Sequence, residues 1–96
     1  GITNATIFQS DAADFTNLDW YTFIYMYNPF PEPVMTRTIQ NICRSLTRRD
    51  RRITLVYKNP VHDYLFAETP FRKIMEFNPG DPNGNTIHVY MTPDPN

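Results

Sequence analysis

The sequence predicts an α/β domain in which parallel strands alternate with crossover helices and an antiparallel hairpin closes the C-terminal end. Three observations carry that expectation. Residues 19–27 (DWYTFIYMY) and 53–57 (ITLVY) are almost continuously aromatic, aliphatic or β-branched, the composition of strands buried on both faces. Between them Met35, Ile39, Ile42 and Leu46 recur at spacings of four, three and four, which aligns them on one face of a helix. A helix joining two strands of one sheet makes those strands parallel. Residues 71–78 (FRKIMEFN) and 86–92 (TIHVYMT) then alternate with period two around a turn-rich PGDPNGN, the pattern of a hairpin with a long loop.

Taken in order, the first element is a short strand centred on Ile7 and Phe8 and ending near Asp11. The 19–27 run follows and stops at Asn28-Pro29-Phe30-Pro31. Pro33 suits the first turn of the next helix, where a missing N–H leaves no acceptor unpaired. Arg48, Arg49, Arg51 and Arg52 crowd its C-terminal end, where cations complement the exposed carbonyls, and read as a solvated helix end. The 53–57 strand runs into Lys58-Asn59-Pro60. Residues 61–70 suit a short helix before the hairpin.

Composition narrows the function classes. The chain of 96 residues, 41% hydrophobic and 15% aromatic, is sized for one domain with one core. Its nine prolines contrast with three glycines, Gly1, Gly80 and Gly84, so the sequence contains no glycine-rich phosphate loop. A net charge of −1 gives no global field to attract nucleic acid or an anionic membrane. No apolar run approaches the roughly 20 residues of a spanning helix, and no secretory leader is expected, since no basic-then-apolar stretch occurs in these residues. The single Cys43 leaves no internal disulfide and fits a reducing, cytoplasmic setting; it is expected as a small core residue. One cysteine with His62 and His88 makes no visible metal site, and no nucleophile elbow occurs. His62 reads either as a polar loop residue or as an oriented imidazole, and His88 as an exposed or hydrogen-bonded strand residue.

Both long strands end alike, in Tyr27-Asn28-Pro29 and in Tyr57-Lys58-Asn59-Pro60. Parallel strands bring both Asn-Pro steps to one edge of the sheet. That edge, at the carboxyl ends of the strands, is where open α/β sheets bind ligands.

Asp11-Ala12-Ala13-Asp14-Phe15, an apolar strand, Asn28-Pro29-Phe30-Pro31, then helix, strand, helix and hairpin form a familiar succession. Over roughly residues 5–92 the chain resembles the C-terminal half of a class I, Rossmann-like, S-adenosylmethionine-dependent methyltransferase. The resemblance implies a partial Rossmann-like sheet and S-adenosylmethionine as cofactor. It assigns the Asp11 carboxylate to the exocyclic amino group of adenine, the Ala12 N–H to a ring nitrogen, and Phe15 to packing beside the base. Tyr27 joins these as a cofactor-side residue. Asn28, Pro29 and Phe30 fall at the position beside the transferring methyl group. Amino-methylating members carry N-P-P-aromatic there, so Phe30 in third place and Pro31 in fourth depart from the standard amino-methylating loop. Read from the residues alone, Asp11 and Asp14 equally cap a helical turn, Phe15 equally fills the core, and Asn28-Pro29 equally starts a helix.

The family's glycine-rich loop and its ribose-binding acidic residue precede the adenine motif and have no counterpart in this sequence. The resemblance therefore implies that residues 1–96 form one domain, the C-terminal portion of a methyltransferase, contributing adenine-binding and substrate-side loops and inactive alone. In the family's sheet the strands flanking residues 5–11 are the missing ones. Those residues are expected to lack neighbours, and the chain to complete its sheet with a second copy or another polypeptide. The methyl acceptor stays open. The alternative class is a non-catalytic α/β interaction domain that self-associates or binds a protein partner.

Overall fold

A computed structural model describes residues 4–7, 18–27 and 30–95. Its elements are strands β1 (Asn4–Ile7) and β2 (Phe23–Met26), helix α1 (Glu32–Arg48), strand β3 (Thr54–Lys58), a short 3-10 helix (Asp63–Phe66), and strands β4 (Arg72–Phe77) and β5 (Ile87–Met91). They form a small α/β domain with one mixed sheet in the order β1-β2-β3-β5-β4. β1, β2 and β3 are parallel, while β5 runs antiparallel to both β3 and β4. The alternation of strands and helices and the terminal hairpin thus follow the expected order.

The helix forms where the apolar stripe lies. Pro33 sits in its first turn and Glu32 beside its positive end. Met35, Ile39, Ile42 and Leu46 are buried, as the spacing requires, with Thr38 and Ser45 between them. Thr38 is tolerated there because its hydroxyl donates to the Val34 carbonyl at 2.8 Å. The helix ends at Arg49, which turns extended, its N–H bonded to the Ser45 carbonyl at 2.9 Å. Across from the stripe lie Ile24 and Met26 of β2, Leu55 and Tyr57 of β3, and Tyr90 of β5, joined by Leu18, Ile53, Phe66 and Phe71. Each such side chain taken fully out of water contributes about 1.5–3 kcal/mol, so this one interface dominates the stability of the domain.

Three expectations are corrected. First, β1 does have a neighbour: Asn4, Ala5, Thr6 and Ile7 pair in parallel with Phe23, Ile24, Tyr25 and Met26. Docking on the free edge of β2 satisfies backbone groups that an isolated strand would leave bare. Second, the strand expected over 19–27 is confined to 23–26, with a turn at 19–20. The cause is Arg51, whose guanidinium donates to the Leu18 and Tyr21 carbonyls at 2.6 and 2.7 Å and so diverts them from the ladder. The arginine run is therefore not uniformly solvated. Arg51 is buried, while Arg48 pairs with Asp19 at 2.8 Å and Arg49 lies over the Trp20 ring. Third, burial on both faces is not seen among the described residues. Along β2, β3 and β5 fully buried and half-buried positions alternate, because α1 and the 3-10 helix lie on one face only.

Candidate functional site at the carboxyl edge of β2 and β3

β2 and β3 pair with Met26 opposite Tyr57, so the two strands end level and their outgoing loops start side by side. Tyr27 leaves β2 exposed, and the Lys58 ammonium lies 5.0 Å from its ring centroid, a cation–π contact at the mouth of the edge. Asn59 takes φ of +56°, a left-handed turn that asparagine tolerates better than most residues, and this reverses the chain out of β3. Its N–H donates to the Thr86 carbonyl at 2.8 Å, which ties the β3 exit to the start of β5.

The hairpin loop, residues 78–86, folds back over this exit. Asn78, Gly80 and Gly84 supply the positive φ values, +51°, +72° and +74°. Asn78 donates from its amide to the Asn85 carbonyl at 3.2 Å and accepts at its own carbonyl from the Thr86 hydroxyl at 2.7 Å. The result is an open polar cleft of about 190 Å³ lined by Tyr27, Lys58, Asn59, Asn83, Gly84 and Asn85. One aromatic face, one cation and three side-chain amides suit a flat heterocycle with both donors and acceptors on its rim.

A second polar group stands on the same edge, across the loop after β3. The Tyr64 hydroxyl donates to Glu32 Oε2 at the start of α1, and His62 Nδ1 lies 3.2 Å from the same hydroxyl oxygen. The His62 backbone N–H is bonded to the hydroxyl of buried Tyr57 at 3.3 Å, which fixes where the loop turns. Hydrogen bonding to Glu32 holds the Tyr64 phenol above the ordinary tyrosine range, and burial does the same for Tyr57.

A third group is structural. His88 is buried between Glu76, 3.0 Å from Nε2, and the Tyr90 hydroxyl, 3.1 Å from Nδ1. The carboxylate needs a donor, so Nε2 carries the hydrogen and Nδ1 accepts from Tyr90. Hydrogen bonds from His88 and Lys73 pull Glu76 below its ordinary range, whereas burial pushes Tyr90 well above its own. Cys43 is half-buried against the core, and that burial raises its thiol.

Of the residues singled out in the sequence, Tyr27 lines the cleft and Phe30 is 1% exposed, its ring packed among the core side chains. Asp11, Ala12, Phe15, Asn28 and Pro29 lie outside the described residues. Lys58 and Asn59 belong to the echoing loop and His62 to its continuation. Glu32, Tyr64, Asn83 and Asn85 were not singled out, since each reads as an ordinary helix-start, loop or turn residue. Among the described residues no group of three or more His, Cys, Asp or Glu side chains is placed to hold a metal ion, and no helix is long and apolar enough to cross a membrane. Compared with protein-family models, curated proteins and solved structures, the chain matches none.

Proposed function

We propose that this chain is part of an S-adenosylmethionine-dependent methyltransferase whose cofactor lies along the carboxyl edge of β2 and β3. The observation that carries the reading is the level ending of two parallel strands, Met26 opposite Tyr57, followed by an antiparallel hairpin on the same sheet. The resemblance implies this part of the sheet, not the direct pairing of β1 with β2, and the Tyr27 and Asn59 loops start from the edge where open α/β sheets ordinarily bind ligands. The residues at the edge fit part of such a cofactor. Tyr27 offers a stacking face, and the amides of Asn59, Asn83 and Asn85 offer donors and acceptors for a base. S-adenosylmethionine supplies, when bound, an electrophilic methyl group on a sulfonium. The chain's part is to hold the nucleoside, orient the acceptor and exclude water from the reacting atoms.

Nuclear magnetic resonance titration of the 96-residue chain with S-adenosylhomocysteine tests this. Weak, fast-exchange shifts confined to Tyr27, Lys58, Asn59 and the residues after them are expected, with Tyr27→Ala weakening them several-fold. Unshifted signals along this edge at millimolar ligand would refute the proposal. Micromolar affinity would instead overturn the expectation that a glycine-rich loop is needed for tight binding.

The second reading, an interaction domain, draws on β4. That outer strand is exposed along its whole length and presents Ile74, Met75 and Phe77. Such an edge is a template for added strands. A chain that stays strictly monomeric by light scattering at high concentration removes self-association from consideration.

A further inference from the structure

We propose that the amino end of β2 and β3 carries a binding surface for single-stranded nucleic acid, built from the exposed Trp20 indole and the arginines that close α1. The two strands begin level there, Phe23 opposite Thr54, at the far end from the cleft, and the proposal is independent of the methyltransferase reading. A net charge of −1 conceals a polarised chain. Residues 44–52 hold five of the nine Lys and Arg residues and one of the ten Asp and Glu residues, so this stretch is +4 and the rest of the chain −5. Arg44, Arg48, Arg49 and Arg52 are exposed, and Arg51 turns inward. The arginines also decide how Trp20 is presented. Arg51 takes the Leu18 and Tyr21 carbonyls, Arg49 donates from Nη1 to the Asp19 carbonyl at 3.2 Å, and Arg48 holds the Asp19 carboxylate at 2.8 Å. Three side chains thus fasten the turn at 19–20 to the end of the helix. The indole is not drawn in with it. Trp20, the one tryptophan of the chain, is 66% exposed, with the Arg49 guanidinium 4.8 Å from its ring centroid. A flat ring already held in place beside a cation loses little freedom when a ligand stacks on it.

The chemistry of this surface selects the kind of partner. Every nucleobase has a π face that stacks on an indole, and a single strand offers those faces where a duplex encloses them. A guanidinium fork matches the oxygens of a phosphodiester. Arg48 is engaged by Asp19, whereas Arg52 meets Asp94 only at 4.0 Å, with both side chains at least half exposed. An exposed pair of that kind is weak and exchanges readily for a phosphate. Arg44, Arg49 and Arg52 are therefore the phosphate contacts, and Trp20 is the stacking platform. An acidic peptide would use the charges and leave the indole without a stacking partner. Stacking and phosphate contacts carry little sequence information, so binding is tolerant of base identity.

Tryptophan fluorescence reads the contact directly, because no other indole contributes. Titrating the 96-residue chain at low salt with an oligothymidylate of about 12 nucleotides should quench the emission as bases stack on Trp20. With three arginines each neutralising one phosphate, affinity should fall roughly 20-fold between about 50 and about 200 mM salt. Anisotropy of a labelled oligothymidylate then reads the variants. Trp20→Ala should weaken binding roughly tenfold through the lost stacking. Arg44→Glu combined with Arg52→Glu, both at exposed positions, should weaken it by at least about tenfold and flatten the salt dependence, with the thermal transition unchanged. Emission that does not respond to the oligonucleotide at millimolar concentration overturns the proposal, as does quenching that ignores salt. A Trp20→Ala chain that binds like the parent overturns it too. Polyglutamate binding as tightly as the oligonucleotide would replace the nucleic acid with an acidic peptide.

Discussion

Arg51 shows how much a single residue hides in a charge run. Four arginines close α1 in the sequence, and nothing in their letters says which one turns inward. Arg51 does, because after the helix ends its five donors meet carbonyls that no ladder satisfies. It reaches Leu18, Tyr21 and Arg49, and also the Ser45 hydroxyl at 3.0 Å. Burial pulls the guanidinium below the ordinary arginine range, yet it stays charged. Arg51→Met roughly keeps the side-chain volume but removes the buried donors to the Leu18, Tyr21 and Arg49 carbonyls, and is expected to cost about 2–5 kcal/mol in urea unfolding. Arg52→Met, on an exposed neighbour, should change stability by less than about 0.5 kcal/mol. A second residue-scale prediction concerns pH. Glu76 titrates below its ordinary range in the fold, mainly through its hydrogen bond to His88, so it contributes stability only while ionised. That contribution is present above the unfolded glutamate value of about 4.3 and is lost as the pH falls through the depressed folded value. Melting temperatures recorded down the acid limb should therefore fall less steeply for Glu76→Gln than for the parent. Identical slopes would mean that the His88 contact is not formed in solution.

At the scale of elements, the sequence was most legible where periodicity and burial coincide. The stripe of α1 was readable because one helix face meets one sheet face, and each of its four apolar positions is buried. Ile42→Ala should cost about 2–5 kcal/mol by chemical denaturation, since Ile42 is fully enclosed and the helix cannot move in to fill the space. The boundaries of β2 were less readable. Its apolar run extends past the ladder on the N-terminal side because Tyr21 serves the core as a partly buried side chain while its carbonyl serves Arg51. The candidate site was half legible for a related reason. Tyr27 and the Lys58-Asn59-Pro60 step announce themselves as strand ends. Asn83, Asn85, Glu32 and Tyr64 enter only through a loop that folds back or a helix start that happens to face a 3-10 turn. Such approaches depend on tertiary geometry, and no local pattern encodes them.

At the scale of the molecule, the sheet has two unlike faces, and the sequence anticipated two alike. Ile24, Met26, Leu55, Tyr57, His88 and Tyr90 point toward α1 and the 3-10 helix and are buried. The alternate positions share the other side. Tyr25 and Tyr27 lie with ring centroids 6.3 Å apart, Val56 is paired with Val89, and Met75 and Phe77 of β4 continue the row opposite Val89 and Ile87. No described helix lies over them. A run such as FIYM is apolar throughout because parallel strands of α/β proteins are ordinarily covered on both faces. Among the described residues this second side is only partly buried and carries no helix. A sheet side of this kind should bind an environment-sensitive apolar dye under native conditions, with a rise in fluorescence that precedes unfolding. Val56→Lys, at the centre of that side and half-buried, should sharply reduce the dye signal while leaving the thermal transition nearly unchanged. A variant that loses stability in step with the signal would show instead that Val56 is already packed against something. Absence of any dye signal from the parent would show that this side of the sheet is covered.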